Sequence, residues 1–301
     1  MITKENLNEN IEAIKECENC QDIQIKKFSP IMDYDDFDNL DDDFMRCTCG
    51  KRPIDIVMAH ILKIMIEEGI VREKATLRRN SPVPLSTFYY SSLNPQFIGK
   101  EMLILLHPDF NDAVAVRLMN EVSEVKGVLK GSPSDVAGQF DKDSDINHFD
   151  LLQGNDEQTN VVRTLLGEKL ILTKNQSKSH IEVAMTTETK LVKLHNYLEN
   201  NKISPAVAID GMCGGGAIGI YLLKYGFEKV IFNDLYPEAI ETLKRNLKLN
   251  EITEGFEIHN EPFEDLDVGN AELCVIDAFP GSDISEITEK AEKIANNVLV
   301  I

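Results

Sequence analysis

Nowhere in the 301 residues does an apolar run approach the roughly 20 residues that a bilayer span requires. The most apolar stretch, Ile54 to Ile66, is interrupted by Asp55, His60 and Lys63, which excludes a membrane-spanning reading. The opening Met1-Ile2-Thr3-Lys4-Glu5 lacks an apolar signal core, so the expectation is a cytoplasmic chain rather than a secreted one. Basic side chains are scarce too, with 31 Lys and Arg against 51 Asp and Glu and a formal charge of −20. Such a field repels a phosphate backbone and disfavours general nucleic-acid binding. Apolar material is not lacking: 43% hydrophobic and 27% charged residues describe a folded protein, long enough for two domains.

The charge is unevenly spread. Residues 1–50 hold 5 basic and 13 acidic groups and residues 201–301 hold 8 and 18, leaving the middle near neutral. Arg72, Lys74, Arg78 and Arg79 are the densest basic surface candidate there. The first fifty residues read as an N-terminal segment: an amphipathic stretch from Asn6 to Ile14, then an acidic run from Asp33 through Asp43 expected as a solvated loop. Pro53, apolar residues at helical spacing and Gly69 punctuate a helix. Met102 to Leu106, Asp112 to Val125 and Val128-Leu129 read strand, helix, strand, so residues 51–167 are expected to form a small α/β domain that recognises substrate. The Asp141-x-Asp143-x-Asp145 spacing lacks the Gly and distal Glu of a calcium loop and reads as a polar loop. Leu170 to Thr173 and His180 to Ala184 flank a polar turn as a hairpin would, and a helix follows to Asn200. From Pro205 onward, short β runs alternate with helices, which predicts a doubly wound parallel sheet; the third domain is drawn at 168–301.

In such a sheet, ligands bind beyond the carboxyl ends of the strands, where strand order reverses. The first strand of this region runs into Asp210-Gly211-Met212-Cys213-Gly214-Gly215-Gly216, with Gly219 beyond. Glycines let the backbone approach a ligand and turn tightly into the next helix. Asp234, at the end of the second strand, can accept hydrogen bonds from a ribose diol. Together they describe a cofactor containing a nucleoside. A carboxylate at Asp210 would repel a pyrophosphate but tolerates a sulfonium, so S-adenosylmethionine is favoured over a dinucleotide.

Val207 to Ile220 resembles motif I of class I S-adenosylmethionine-dependent methyltransferases, and Asn233 to Asn250 is similar to the motif II helix of tRNA guanine-N2 methyltransferases. The resemblance implies that Asp210, Met212, Cys213, Gly214 and Gly216 line the methionine side of the cofactor, that Asp234 and Leu235 hold ribose and adenine, and that Glu261 lies near the adenine amine. It also implies that Asp277, with Ala278 beside it, faces the methyl group, and Asp277 is the candidate for orienting or deprotonating the acceptor. Two departures stand out. Asp277-Ala278-Phe279-Pro280 replaces the Asp/Asn-Pro-Pro-Tyr pattern of base-amine enzymes, and the sheet is expected without its last hairpin, its edge covered by residues 170–184 or by a second copy of the chain. The acceptor stays open between RNA, met through the middle domain, and a small molecule or protein. The alternative is a non-catalytic cofactor-binding or assembly protein.

Cys17-x-x-Cys20 and Cys47-x-Cys49 could bind zinc or an iron–sulfur cluster through four thiolates, or be free thiols. His60 lies on the apolar face of its helix and reads as a core residue.

Overall fold

In the computed structural model, which describes residues 11, 14–21, 23–91, 96–134, 148–179, 181–278 and 282–301, the chain forms two compact units. One comprises Glu5–Gln158 with Asn175–Ile181; the other comprises Thr159–Lys174 and Glu182–Ile301, with Met1–Lys4. The Asn6–Ile14 amphipathic stretch, except at its C-terminal end, the Asp141–Asp145 loop and Phe279–Pro280 lie outside the described residues.

In the first unit, strand β1 (Arg52–Pro53) leads into helix α1 (Ile54–Glu67), which buries Ile56, Val57, Ile61, Leu62, Ile64 and Met65 and ends at Gly69 with φ +69°. A short helix, α2 (Leu77–Asn80), and strands β2 (Val83–Ser86), β3 (Phe88–Tyr90) and β4 (Phe97–Ile98) follow. Next come β5 (Leu103–His107), α3 (Asp112–Glu121), β6 (Val125–Lys130) and β7 (Asp150–Gly154). The Asn111 side chain caps α3 by accepting the Val114 N–H at 3.0 Å. The strands form a mixed sheet of order β2-β5-β6-β7, parallel only between β5 and β6, while β1 and β4 pair antiparallel. His60 is buried as expected, and burial lowers its pKa to about 4, which keeps it neutral.

The acidic run folds onto this core by a period of three. Ile31, Tyr34, Phe37 and Leu40 are spaced as in a 3₁₀ helix, and 3₁₀ turns occur at Ile31–Asp33 and Phe37–Asn39. One face therefore carries the apolar side chains into the core with α1, while Asp33, Asp35, Asp38, Asp41 and Asp43 stay in water. Arg52, fully buried, is neutralised by Glu124 at 2.5 and 2.9 Å and fixes the end of the run through the Asp41 carbonyl at 2.5 Å. The Ile31 N–H donates to the Ala75 carbonyl and the Arg78 N–H to that of Lys27, both at 2.9 Å, so Lys26, Lys27 and Phe28 stand beside the Arg72–Arg79 cluster.

Strand β8 (Glu157–Arg163) opens the second unit and neighbours β9 (Lys169–Asn175). This is where the structure departs from the hairpin expected over 170–184. The turn is at 164–168, and the 181–183 stretch is no strand but the approach to helix α4 (Ala184–Asn201). Glu188 of α4 explains part of the difference, because its carboxylate accepts the Arg163 N–H at 2.7 Å and pairs with that residue's guanidinium at 2.9 Å. The regular alternation then follows: β10 (Val207–Asp210), α5 (Ala217–Tyr225), β11 (Lys229–Asn233), α6 (Pro237–Leu249), β12 (Phe256–His259), β13 (Leu273–Ile276), α7 (Ser285–Ile294) and β14 (Val298–Val300). The five strands are all parallel in the order β12-β11-β10-β13-β14, with β10 central. β14 is an edge strand, and the residues expected to cover that edge pair elsewhere. β9 lies against α6, where Asn246 and Asn250, one turn apart, bond the N–H and C=O of Thr173 and Ile171 at 2.7 to 3.2 Å.

Candidate cofactor site

The strand order reverses between β10 and β13, so the crevice beyond their carboxyl ends is where this architecture receives a ligand. Asp210 ends β10 there with no exposed surface. Its Oδ2 accepts the Gly219 N–H at 2.8 Å, while Oδ1 has no partner among the described residues. Burial, reinforced by the Asp277 and Asp234 carboxyls, pushes its pKa up to about 8.

The glycine loop is fixed by its neighbours. Cys213 N–H donates to the Asn233 carbonyl at 2.9 Å and Gly216 N–H to that of Cys213 at 2.7 Å. Gly216 has φ +83°, and a Cβ there would meet Leu243 at 2.3 Å. Gly219 is pressed still harder, since its Cβ would sit 2.1 Å from the Phe232 ring. The Gly215 carbonyl accepts from Asn246 Nδ2 at 2.8 Å, tying the loop to α6. Cys213 is buried and its thiol is raised well above the usual range, which removes it from thiolate chemistry.

Asp234, at the end of β11, accepts the Gly214 N–H on Oδ2 at 2.8 Å and the Tyr236 N–H on Oδ1 at 2.9 Å. Burial raises its pKa against these two bonds. Leu235 beside it is an exposed apolar side chain, 43% accessible. Asn233 and Asn260 bind adjacent loops together: Asn233 donates to the Glu261 carbonyl at 3.1 Å, and Asn260 to those of Asp234 and Leu235 at 2.8 and 3.0 Å. Glu261 hydrogen-bonds His259 at 3.1 Å.

Asp277 follows β13, with Met212 and Ala278 packed on the core beneath. Its Oδ2 pairs with Lys190 Nζ at 2.7 Å, and Lys190 also meets Glu182 Oε1 at 3.0 Å. Burial raises the Asp277 pKa and would lower that of Lys190, but the Glu182 and Asp277 carboxylates outweigh it and hold the lysine charged. Lys174 donates to the Glu182 carbonyl at 3.0 Å, and burial lowers its pKa to about 8.

The structure thus brings Asp210, Met212, Cys213, Gly214, Gly216, Asp234, Leu235, Glu261, Asp277 and Ala278 to one end of one sheet. Lys190, Glu182 and Asn246 were not read from the sequence. Lys190 and Asp277 are 87 residues apart and Asn246 and Thr173 are 73 apart, with no spacing to announce either pair. In the other unit, Cys17, Cys20, Cys47 and Cys49 converge, with their sulfurs all within 4.8 Å of one another.

No family model matches the chain. Over 71 residues it is 35% identical to a tRNA (guanine(26)-N(2))-dimethyltransferase of Sulfolobus acidocaldarius, and over 64 residues 33% identical to a ribosomal protein L11 methyltransferase of Psychrobacter. These stretches are 23% and 21% of this chain, and the match spans about a fifth of either relative, 19% and 21%. The C-terminal all-parallel five-stranded sheet is methyltransferase-like. Similar solved structures include the Pyrococcus abyssi tRNA (uracil-54, C5)-methyltransferase, with TM-score 0.49 and 15% identity over 81% of this chain and 55% of that one. The tRNA m1G37 methyltransferase of M. jannaschii has TM-score 0.45 and 16% identity, over 78% and 59%. Among the described residues of the chain, no helix is long and apolar enough to cross a membrane.

Proposed function

We propose that this chain is an S-adenosylmethionine-dependent methyltransferase acting on RNA. The observation that carries the cofactor assignment is the unpartnered Oδ1 of Asp210, fully buried at the tip of the central strand beside the glycine turn. An unpaired buried carboxyl costs free energy that a cationic ligand recovers. Asp210 and the 212–216 turn would hold the methionine part, and Asp234, Leu235 and Glu261 the nucleoside. Bound there, the cofactor supplies a methyl group already activated on a sulfonium.

What remains for the protein is alignment and, for an acceptor that must lose a proton, a base. Asp277 takes that part. Lys190 fixes its carboxylate at 2.7 Å and favours the ionised form against burial. The acceptor assignment rests on the local identity to a tRNA-methylating enzyme and on the cationic cluster of the other unit. There, Lys26, Arg72, Lys74, Arg78 and Arg79 are exposed, and Phe28, 72% exposed and next in the chain to the Lys27 carbonyl that the Arg78 N–H meets, offers an aromatic face on which an unpaired base can stack.

Calorimetry with S-adenosylmethionine, followed by a labelled-methyl assay on the RNA, protein and metabolite fractions of the source cell, tests both parts. Binding with label appearing in RNA is the expected result. Absence of binding removes the cofactor assignment, and label in protein or metabolites replaces the acceptor.

A further inference from the structure

The cysteine cluster belongs to the first unit and has its own geometry. Cys17 Sγ is 3.5 Å from Cys47 Sγ and 3.6 Å from Cys20 Sγ, and Cys20 Sγ is 3.7 Å from Cys49 Sγ. These separations are far beyond a disulfide bond, about 2.05 Å. They match a different length: four thiolates at about 2.3 Å from one ion in a tetrahedron stand about 3.8 Å apart. An iron–sulfur cluster, whose cysteines are distributed over separate irons, needs its thiolates spread more widely than a single ion does.

The local backbone is shaped to the same end. Cys17 and Cys20 form a turn closed by the Cys20 N–H to Cys17 carbonyl bond at 3.0 Å, and the Cys17 N–H points at Cys20 Sγ at 3.3 Å. Cys47 and Cys49 sit on a second turn, closed by Gly50 N–H to the Cys47 carbonyl at 2.8 Å and passing through Gly50 at φ +84°. Among divalent ions, a set of four soft thiolates in a tetrahedron selects zinc, and four protein ligands leave no open position for catalysis.

We propose that Cys17, Cys20, Cys47 and Cys49 bind one Zn²⁺ in a structural tetrathiolate site. The two turns differ in what else fixes them. The second is anchored on the core: Arg46 reaches the Asp42 carbonyl at 2.6 Å, the Gly50 carbonyl at 2.8 Å and Glu124 at 3.0 Å, and Arg52 next door is buried against Glu124. The first has no buried side chain among the described residues between Ile14 and Ile25, and the Lys51 ammonium, which donates to the Lys15 carbonyl, touches only the backbone ahead of it. The ion is what pins residues 17–20 to the already folded 46–52 corner, so it acts as a local staple and not as the nucleus of the unit.

The full-length chain, purified without added metal, should contain one zinc per chain by elemental analysis. After zinc is stripped with a strong chelator under reducing conditions and the reductant is removed, a thiol reagent should count four more reactive sulfhydryls than before. Cobalt added to the stripped chain should give thiolate-to-metal charge-transfer and tetrahedral ligand-field bands at one equivalent. Cys20→Ser and Cys49→Ser should each cut zinc content at least tenfold. The cobalt titration uses the unaltered chain and so does not depend on these variants folding. Hydrogen exchange of the stripped chain should speed up around residues 17–24 and leave α1 protected. A chain that arrives without zinc and takes up no cobalt, or one that carries iron with cluster absorption, overturns the site. Loss of α1 protection on stripping overturns the local role.

Discussion

Asp210 is fully buried with one carboxyl oxygen unpartnered, and it makes two pH predictions. Its folded pKa, about 8, lies above the ordinary carboxylate value, so between pH 4 and 8 the native chain holds a proton that the unfolded chain has lost. Its contribution to stability is therefore present at low pH and falls as pH rises through that window, by up to about 1.4 kcal/mol per unit. Asp210→Asn should remove this dependence, so that its melting temperature gains on the parent's from pH 5 to pH 8. A cation bound beside Asp210 favours the ionised form, so S-adenosylmethionine should bind with proton release near pH 7. Calorimetry in buffers of different ionisation enthalpy reads that release, and Asp210→Asn should abolish it. Asp277 is tested through Lys190. Lys190→Met removes the ammonium at 2.7 Å that offsets burial, so the acidic limb of the pH–rate profile should move to higher pH while cofactor affinity holds. Asp210, Asp234 and Asp277 were legible because each ends a strand in the sequence pattern. Lys190 was not, because nothing in a helix of ordinary amphipathic composition says which carboxylate its lysine will meet.

At the scale of elements, the five-stranded parallel sheet was legible almost to the residue, since runs such as Val230-Ile231-Phe232 buried on both faces leave little alternative. The false strand at 181–184 has a physical cause: Ile181 and Val183 are β-formers by propensity, but the hydrogen bonding of β9 was taken by β8 and α6. The acidic run was legible as charge but not as structure, because its period of three falls between the two periods for which patterns are usually scanned. Helix α6 yields a paired prediction. Asn246→Ala strips partners from the Thr173 N–H and C=O and from the Gly215 carbonyl, buried groups worth about 1–3 kcal/mol each when left unmade. Asn250→Ala strips those of Ile171 alone from β9. Both variants should melt lower, and only Asn246→Ala should weaken cofactor binding, because only it loosens the glycine loop. Equal losses of affinity would contradict that division. Gly219→Ala should melt lower as well, by about 1–3 kcal/mol on a chemical denaturation curve, as the added methyl is forced into the Phe232 ring.

For the whole molecule, the formal charge of −20 sets the terms on which RNA can be met. The structure adds Lys26, Lys27 and Phe28 to the four cations expected around residues 72–79, and Lys27 is partly spent on Asp55 at 2.8 Å. Arg78→Ala combined with Arg79→Ala should lower RNA affinity and reduce the steepness of its decline with salt by about two counterions. Phe28→Ala should lower affinity without changing that slope; a shared change in slope would argue against stacking. The four cysteines were legible as a candidate four-thiolate set, but whether the two pairs meet was not, since the folding of the intervening residues decides it.

The asparagine pair on α6 has one more consequence. Ile171 and Thr173 offer their amides along the side of β9 that a further strand would occupy, and two side-chain amides fill those positions instead. Unlike a bare strand, an edge closed in this way offers a neighbouring chain nothing to pair with. The same two residues that tie β9 to α6 therefore guard solubility, and Asn246→Ala combined with Asn250→Ala should make the folded protein self-associate through a seven-residue strand.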